Sequence, residues 1–151
     1  MGAEQNKTTT RRQFELLSAG DFEGAAALWA NDARNHGRET NPASIARVYE
    51  SLRSVKETHV LHELVAEGDW VAVRTTCSGA HVATPKIPVN GGIFVGFAPT
   101  GRTYSAQHLH LFKVVDGKIT EHWANRDDLG AAQQIGLELK PAAAASRPSG
   151  R

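Results

Sequence analysis

Two histidines, His108 and His110, are the residues in this sequence whose type and spacing are best suited to chemistry. They are separated by one residue in a run of alternating apolar residues, so a strand would place both imidazoles on one face, about 7 Å apart. Two imidazoles on an otherwise apolar face are costly unless each finds a hydrogen-bond partner. A pocket would supply partners, as would neighbouring strands or a second subunit. We predict that the pair faces a pocket and is catalytic.

The same spacing also permits a metal site, because an H-x-H strand can offer two ligands to one ion. A third ligand is not evident: Glu121 lies across the following hairpin, and Asp116 sits in a turn that would direct it to solvent. We therefore predict no metal and no other cofactor. A metal-dependent enzyme that uses His108 and His110 stays as an alternative.

Asp127 is the second catalytic candidate, at the end of the last predicted strand and immediately before a helix. An aspartate there is a normal N-cap, stabilised by the helix dipole. However, Asp128 follows and one cap suffices, so Asp128 could cap while Asp127 turns inward. A carboxylate in an apolar pocket has a raised pKa and becomes a better base near neutral pH. Both arrangements are compatible with the spacing.

The last predicted strand places Glu121, Trp123 and Asn125 on one face and His122 and Arg126 on the other. A tryptophan in a strand is more often part of a core than a ligand platform. We nevertheless predict that the face with Trp123, together with Glu121 and Asn125, contributes to substrate binding.

Four further histidines lie outside these strands. His36, in a polar loop after the second predicted helix, is a candidate for substrate contact at the pocket rim. His59, His62 and His81 are expected to be structural or exposed.

Two classes of chemistry are disfavoured. The glycines at 91, 92, 96 and 101 match neither the dinucleotide-binding pattern nor the P-loop. Cys77, the single cysteine, lies mid-strand among Thr and Ser without the helix N-terminus or basic partner that would activate it. Nucleotide and nucleophilic chemistry are therefore not expected.

The elements that must position these residues fall into two parts. Helical spacing predicts helices over 10–19, 22–29 and 42–52, with a polar loop over 31–41. From residue 59 the period changes to two, which predicts strands over 59–67, 70–78, 102–115 and 118–125 and tight turns at 68–69 and 116–117. Residues 80–101 are rich in Pro and Gly and predict an irregular stretch with a short strand at 93–97. A last helix is predicted over 129–135.

Helices followed by a strand meander indicate an α+β fold. A curved antiparallel sheet wrapped around the N-terminal helices would form a cone with an internal pocket.

Length and composition are typical of one globular domain of 151 residues, which we place at 8–139, with flexible tails at 1–7 and 140–151. Seventeen Lys and Arg nearly balance sixteen Asp and Glu, so no basic field would attract nucleic acid or an anionic membrane. The polar N-terminus does not resemble a signal peptide, and no apolar run is long enough to span a bilayer. A cytoplasmic protein without nucleic-acid or membrane partners is expected.

Several segments resemble the SnoaL-like polyketide cyclases. They are AEGDWVAVR at 66–74, PTGR at 99–102, DGKITEHW at 116–123, WANRDDLG at 123–130 and QIG at 134–136. His36 also falls where the family usually has a histidine after its second helix. The match covers roughly 11–137, and the order and spacing of the segments are more specific than any one of them.

The resemblance implies an NTF2-like fold, a homodimer or homotetramer, and a small hydrophobic or polyketide-like substrate. It also implies ring closure by an intramolecular aldol reaction, or a related isomerisation, without metal or cofactor. Asp127, four residues after the signature tryptophan, corresponds to the acid/base aspartate of the family. His110 or His108 would then polarise the substrate carbonyl or hold the enolate.

The sequence departs from the family pattern at VKETH (55–59), GAHVA (79–83) and the stretch 84–92. These segments lie near the pocket mouth in this fold, which leaves the substrate open. The alternatives are a non-catalytic protein that binds a small hydrophobic ligand, and a cofactor-independent hydroxylase.

Overall fold

The computed structural model describes residues 2–141, which form four helices and one six-stranded sheet. In chain order the elements are α1 (Ala3–Ala19), α2 (Phe22–Ala27), β1 (Trp29–Asn35), β2 (Arg38–Glu39), α3 (Pro42–Leu52), β3 (Thr58–Glu67), β4 (Trp70–Ala80), β5 (Thr103–Val115), β6 (Lys118–Arg126) and α4 (Asp128–Gln134). The predicted α+β order of helices, strand meander and short final helix is confirmed.

The helices α2, α3 and α4 begin within one residue of their predicted starts, and side-chain caps hold the starts of α2 and α3. The Asp21 side chain accepts from the Gly24 N–H, and Asn41 accepts from the Ser44 N–H ahead of Pro42. However, α1 begins at Ala3, so residues 3–7 of the expected N-terminal tail are helical. Buried Asn6 explains this, because its side chain donates to the Gly68 carbonyl at the β3–β4 turn. Of the predicted C-terminal tail, residues 142–151 lie outside the described residues.

The predicted polar loop at 31–41 is wrong, because it forms the hairpin of β1 and β2. His36 and Gly37 both have positive φ, as a two-residue type I′ turn requires, and Asn35 pairs with Arg38 across it. The second helix also ends at Ala27, two residues before its predicted end, and Trp29 begins β1. This local geometry determines where Asn35 and His36 lie.

The sheet has the strand order β2-β1-β6-β5-β4-β3. The long strands β3 to β6 form the predicted antiparallel meander, with the positive-φ pair Asp116-Gly117 closing the β5–β6 hairpin. One correction is needed: β1 pairs with β6 in parallel, so the sheet is mixed. This pairing places Asn35 directly beside His122.

The stretch 81–102 contains a short 3₁₀ turn at Asn90–Gly92 but not the strand predicted at 93–97. Its Phe94 is fully buried and lies against the rings of His81 and Tyr104. His81 is structural as predicted, since its Nδ1 contacts the Thr100 hydroxyl and accepts from the Thr100 N–H. Because apolar side chains such as Phe94 anchor it, the segment packs against the rest of the protein without forming strand hydrogen bonds.

The hydrophobic core lies between the helices and the inner face of the curved sheet. Its largest buried side chains include Phe14, Trp29, Ile45, Phe94 and Ile119. None of the helices within residues 2–141 combines the length and apolarity that a membrane crossing requires.

Candidate active site

A cavity of about 250 Å³ lies between α1, α3, the inner face of the sheet and the segment at 88–91. Its walls combine apolar and aromatic side chains with a cluster of histidines. The histidines among the lining residues are His36, His59, His108, His110 and His122. The prediction of an internal pocket is supported by this cavity, and both His108 and His110 line it as expected.

One wall of the cavity carries a hydrogen-bonded chain of three side chains on three adjacent strands. His110 Nδ1 lies 3.0 Å from His122 Nε2, and His122 Nδ1 lies 2.9 Å from Asn35 Oδ1. Because the Asn35 oxygen can only accept, His122 carries its proton on Nδ1 and accepts at Nε2. His110 then donates from Nδ1 and has its lone pair on Nε2. That nitrogen is buried and has no hydrogen-bond partner among the described residues.

The three inner histidines are neutral in the folded protein. Burial lowers the pKa of His108 to about 4, although the Glu57 carboxylate opposes this shift. Burial, with His36 and Arg126 adding to it, lowers the pKa of His122 to about 3. The pKa of His110 lies well below its ordinary value, mainly through burial and then through His122 and His108. All three are therefore neutral near pH 7, and His122 already uses its lone pair on Nε2 to accept from His110.

A second wall is built around Glu57, the carboxylate among the lining residues. Its side chain is 3% exposed and accepts from the Tyr104 hydroxyl at 3.0 Å and from Asn90 Nδ2 at 2.6 Å. His59 Nε2 lies 3.2 Å from Glu57 Oε1, but neither ring nitrogen of His59 has hydrogen-bond geometry to a described residue. Burial alone would raise the pKa of Glu57, but its contacts with His59 and Asn90 outweigh this and hold it low.

Cys77 lies behind this wall. It was predicted to lack a basic partner, but the fold places His59 and His108 beside it, with one ligand atom from each of the three residues within 4.8 Å of the others. Burial, followed by the charge of Glu57, raises the pKa of the thiol well above its ordinary range. The thiol is therefore protonated, and a nucleophilic role stays disfavoured.

Arg126 is the lining residue with a permanent positive charge. Its Nε and Nη2 bind the Asp128 carboxylate at 3.2–3.3 Å, which leaves Nη1 outside the pair. The pair is partly buried, so the guanidinium is held at the end of β6 beside the histidine chain. It can stabilise a negative charge that develops in the cavity.

The predicted inward orientation of Asp127 is not observed. Asp127 is exposed, caps α4 by accepting from the Gly130 N–H at 2.8 Å, and is absent from the cavity lining. The roles expected of the two aspartates are exchanged: Asp127 caps the helix, and Asp128 pairs with Arg126. The cap satisfies a backbone donor at the helix start, which an inward side chain would leave unpaired.

The face of the last strand that was predicted to bind substrate does not line the cavity. Glu121, Trp123 and Asn125 share a face as expected, but that face points away from the cavity. Trp123 is 42% exposed and donates to Glu121 Oε1 on the outer surface. His36 does line the cavity, at its rim, with its ring against those of both His122 and Trp123.

The cavity-lining residues that the sequence did not identify as candidates are Asn35, Glu57, His59, His122 and Arg126. The alternation of β6 already separated His122 and Arg126 from Trp123, so a signal for two of them was present. A tryptophan suggests an inner face, however, and here it lies on the outer one. For Asn35 and His59 no local pattern exists, because only the strand pairing brings them to the cavity. Glu57, immediately before β3, is held there by the long-range contacts with Asn90 and Tyr104.

Comparison with known proteins agrees with this architecture. The family model for the SnoaL-like polyketide cyclases matches residues 7–135. Aklanonic acid methyl ester cyclase DnrD of Streptomyces peucetius is 37% identical over 135 residues, covering 83% of this chain and 87% of that protein. Aklanonic acid methyl ester cyclase DauD of Streptomyces sp. (strain C5) is 32% identical, covering 83% and 78%.

Among solved structures, an NTF2-like protein from Burkholderia xenovorans LB400 superposes with a TM-score of 0.63 at 20% identity, covering 90% of this chain and 99% of that one. At that identity the likeness shows the fold alone, and it confirms the predicted NTF2-like class. The family model and the two cyclases show family membership as well as the fold, because the model spans residues 7–135 and the cyclases are 37% and 32% identical over 83% of the chain. The chain belongs to the SnoaL-like polyketide cyclase family.

Proposed function

We propose that this protein closes a carbon ring in a polyketide-like ester by an intramolecular aldol reaction, with His110 Nε2 as the general base. The observation that carries the proposal is the chain Asn35–His122–His110, which leaves an unprotonated, unpartnered nitrogen on a cavity-lining residue. The cyclases DnrD and DauD supply the substrate class.

The reaction needs only proton transfers and one new carbon–carbon bond. His110 Nε2 takes a proton from a carbon flanked by two carbonyl groups, and the resulting enolate attacks a ketone carbon of the same molecule. The carbonyl electrons become an alkoxide, which recovers the proton from His110. Substrate and product are isomers, so neither an oxidant nor a redox cofactor takes part.

The lowered pKa of His110 is compatible with a role as general base, because the negative charge of the enolate raises that pKa during the reaction. In the unliganded cavity, burial and neighbouring histidines disfavour imidazolium. A developing enolate is an opposite charge at close range, and it stabilises imidazolium in the transition state. The base is thus neutral and available before reaction and becomes stronger as the substrate ionises.

Arg126 is the group that we assign to the oxyanion. Its guanidinium is positioned by Asp128 and lies in the cavity lining next to the histidine chain. Donors that are fixed before reaction stabilise a developing alkoxide without reorganising. His108, whose Nδ1 is unpartnered, adds a second neutral imidazole to the same strand.

Aklanonic acid methyl ester is the first substrate to test. Ring closure gives a product of unchanged mass with a new retention time. Hydroxylation would add one oxygen atom, and a ligand-binding protein would return the compound unaltered, so mass and retention together separate the three functions. If the ester and close polyketide analogues all return unaltered while bound to the protein, the proposed cyclase function is wrong.

We also propose a cytoplasmic homodimer that pairs through the outer face of the sheet. Leu109 and Leu111 point outward and are 57% and 38% exposed, with Trp123 beside them. Such an apolar patch on a sheet favours self-association.

A further inference from the structure

We propose that His59, Cys77 and His108 form a binding site for a thiophilic divalent cation of the zinc type, with Glu57 as its adjacent carboxylate. The proposal does not rest on the ring closure proposed above, although the two share His108. The other two ligands, His59 and Cys77, belong to the second wall of the cavity, whereas the proposed base His110 lies on the first.

The three ligands come from three neighbouring strands and are placed by their register. His59 on β3 is directly opposite Cys77 on β4, and His108 on β5 is opposite Thr75, two residues before Cys77 on the same face. One ligand atom from each residue lies within 4.8 Å of the other two. Ligands around a tetrahedral zinc ion are about 3.5 Å apart, so small side-chain rotations suffice to close the site.

The polar atoms of the cluster have few partners from the protein. The His59 side chain is 4% exposed, its Nε2 lies 3.2 Å from Glu57 Oε1 without hydrogen-bond geometry, and its Nδ1 lacks a hydrogen-bond partner among residues 2–141. His108 Nδ1 is unpartnered as well. Buried polar atoms without partners carry an energetic cost, and a bound cation would remove it.

The donor set identifies the class of ion. One thiolate and two imidazoles suit zinc and similar borderline-soft ions, and they are a poor match for magnesium or calcium, which bind oxygen. When the cation binds, the Cys77 thiol loses its proton to solvent and becomes the thiolate ligand. A divalent cation with this thiolate and the Glu57 carboxylate then gives a cluster with no net charge, which makes burial of the ion acceptable.

Glu57 would also hold the ligand His59 in position. It contacts His59, and it is itself held by Tyr104 and Asn90. A carboxylate that orients a ligating histidine is common around protein-bound zinc. Because His59 and His108 line the cavity and Cys77 lies behind them, the remaining coordination position would face the cavity.

Cobalt titration of the full chain, after treatment with a chelator and its removal, tests the site directly. Cys77 is the single cysteine, so a thiolate-to-cobalt charge-transfer band in the near ultraviolet can come only from this cluster. We expect that band to saturate at one equivalent and to be displaced by zinc. Absence of saturable binding, or binding without the charge-transfer band, would overturn the proposal.

Variants provide the second measurement. Cys77→Ser should abolish the band, and His59→Gln should weaken cobalt binding by at least about tenfold. His62→Gln is the matched control, because His62 lies on the same strand but is exposed and contacts the Thr76 hydroxyl. Circular dichroism shows whether each variant is folded. If a variant does not fold, the spectrum and the binding stoichiometry of the wild-type protein alone test the proposed metal site. Equal cobalt affinity in folded His59→Gln and His62→Gln proteins would contradict the proposal.

Discussion

The imidazoles of His110 and His122 are stacked with ring planes 21° apart, and their facing nitrogens, Nδ1 and Nε2, are 3.0 Å apart. One ring therefore determines the tautomer of the other, and Asn35 determines both. Because His122 is on β6 and Asn35 on β1, the protonation state of the proposed base depends on a parallel strand pairing at the far side of the sheet.

Replacing His110 tests the base. We expect His110→Gln to lower kcat by about 100-fold or more, since glutamine cannot take a proton from carbon. His62→Gln, an exposed histidine on the outer face of β3, is the control and should retain wild-type kcat. Steady-state kinetics on aklanonic acid methyl ester measure both. Full activity in a folded His110→Gln protein would remove His110 from the mechanism.

Asn35 is a positioning residue in this scheme. Asn35→Ala frees the tautomer of His122 and should lower kcat by about tenfold with little change in KM. Asn35→Asp keeps an acceptor for His122 Nδ1–H, so kcat should recover while the acidic limb of the pH–rate profile moves to higher pH. Equal loss in both variants, with unchanged pH profiles, would indicate a purely structural role.

Variants of Asp127 distinguish the mechanism expected from the sequence, in which Asp127 is the acid/base residue, from the one proposed from the structure, in which His110 is the base. Asparagine caps helices as well as aspartate does, so Asp127→Asn should retain both stability and turnover. Asp127→Ala removes the bond to the Gly130 N–H and should lower the free energy of unfolding by about 1 kcal/mol, with kcat again retained. A folded Asp127→Asn protein without turnover would restore Asp127 as the acid/base residue.

Stability should fall as the pH is lowered from about 6.5 towards 4. Unfolded histidines take up protons near their ordinary value of 6.5, whereas folded His108 and His122 stay neutral down to about 4 and 3. The unfolded state thus binds more protons in this window, and each group contributes a slope of up to about 1.4 kcal/mol per pH unit. Glu57, with its lowered pKa, adds a loss only below about 4.5.

Urea unfolding at several pH values measures this slope. His122→Gln should flatten it between pH 6.5 and 4, and His62→Gln should leave it unchanged. A wild-type free energy of unfolding that is constant or rises on acidification over that range would contradict neutral burial of the inner histidines.

The outer face of the sheet can be tested by charge. In a Leu109→Glu, Leu111→Glu double variant, carboxylates that would be buried in the proposed interface should convert the dimer to a monomer. Val82→Glu is the control, since Val82 is exposed at 43% but lies off the sheet. Light scattering after size exclusion gives the mass of each. A double variant that keeps the wild-type dimer mass would exclude this face.

The sequence by itself determined the elements whose signals are local. Period-two alternation, the turn at 116–117 and helical spacing predicted the meander and the starts of the later three helices, because each depends on neighbours along the chain. The His108/His110 pair was identified as cavity-facing for the same reason. The order of these elements gave the α+β class, and the family resemblance then supplied the NTF2-like assignment.

Only the tertiary structure decided which faces meet. Alternation separates Trp123 from His122 but does not say which side is inside, and the parallel β1–β6 pairing settles it by placing Asn35 beside His122. Likewise, His59 and Cys77 are 18 positions apart in sequence and become neighbours through strand register. A functional site assembled across strands depends on these long-range pairings, and no local pattern encodes them.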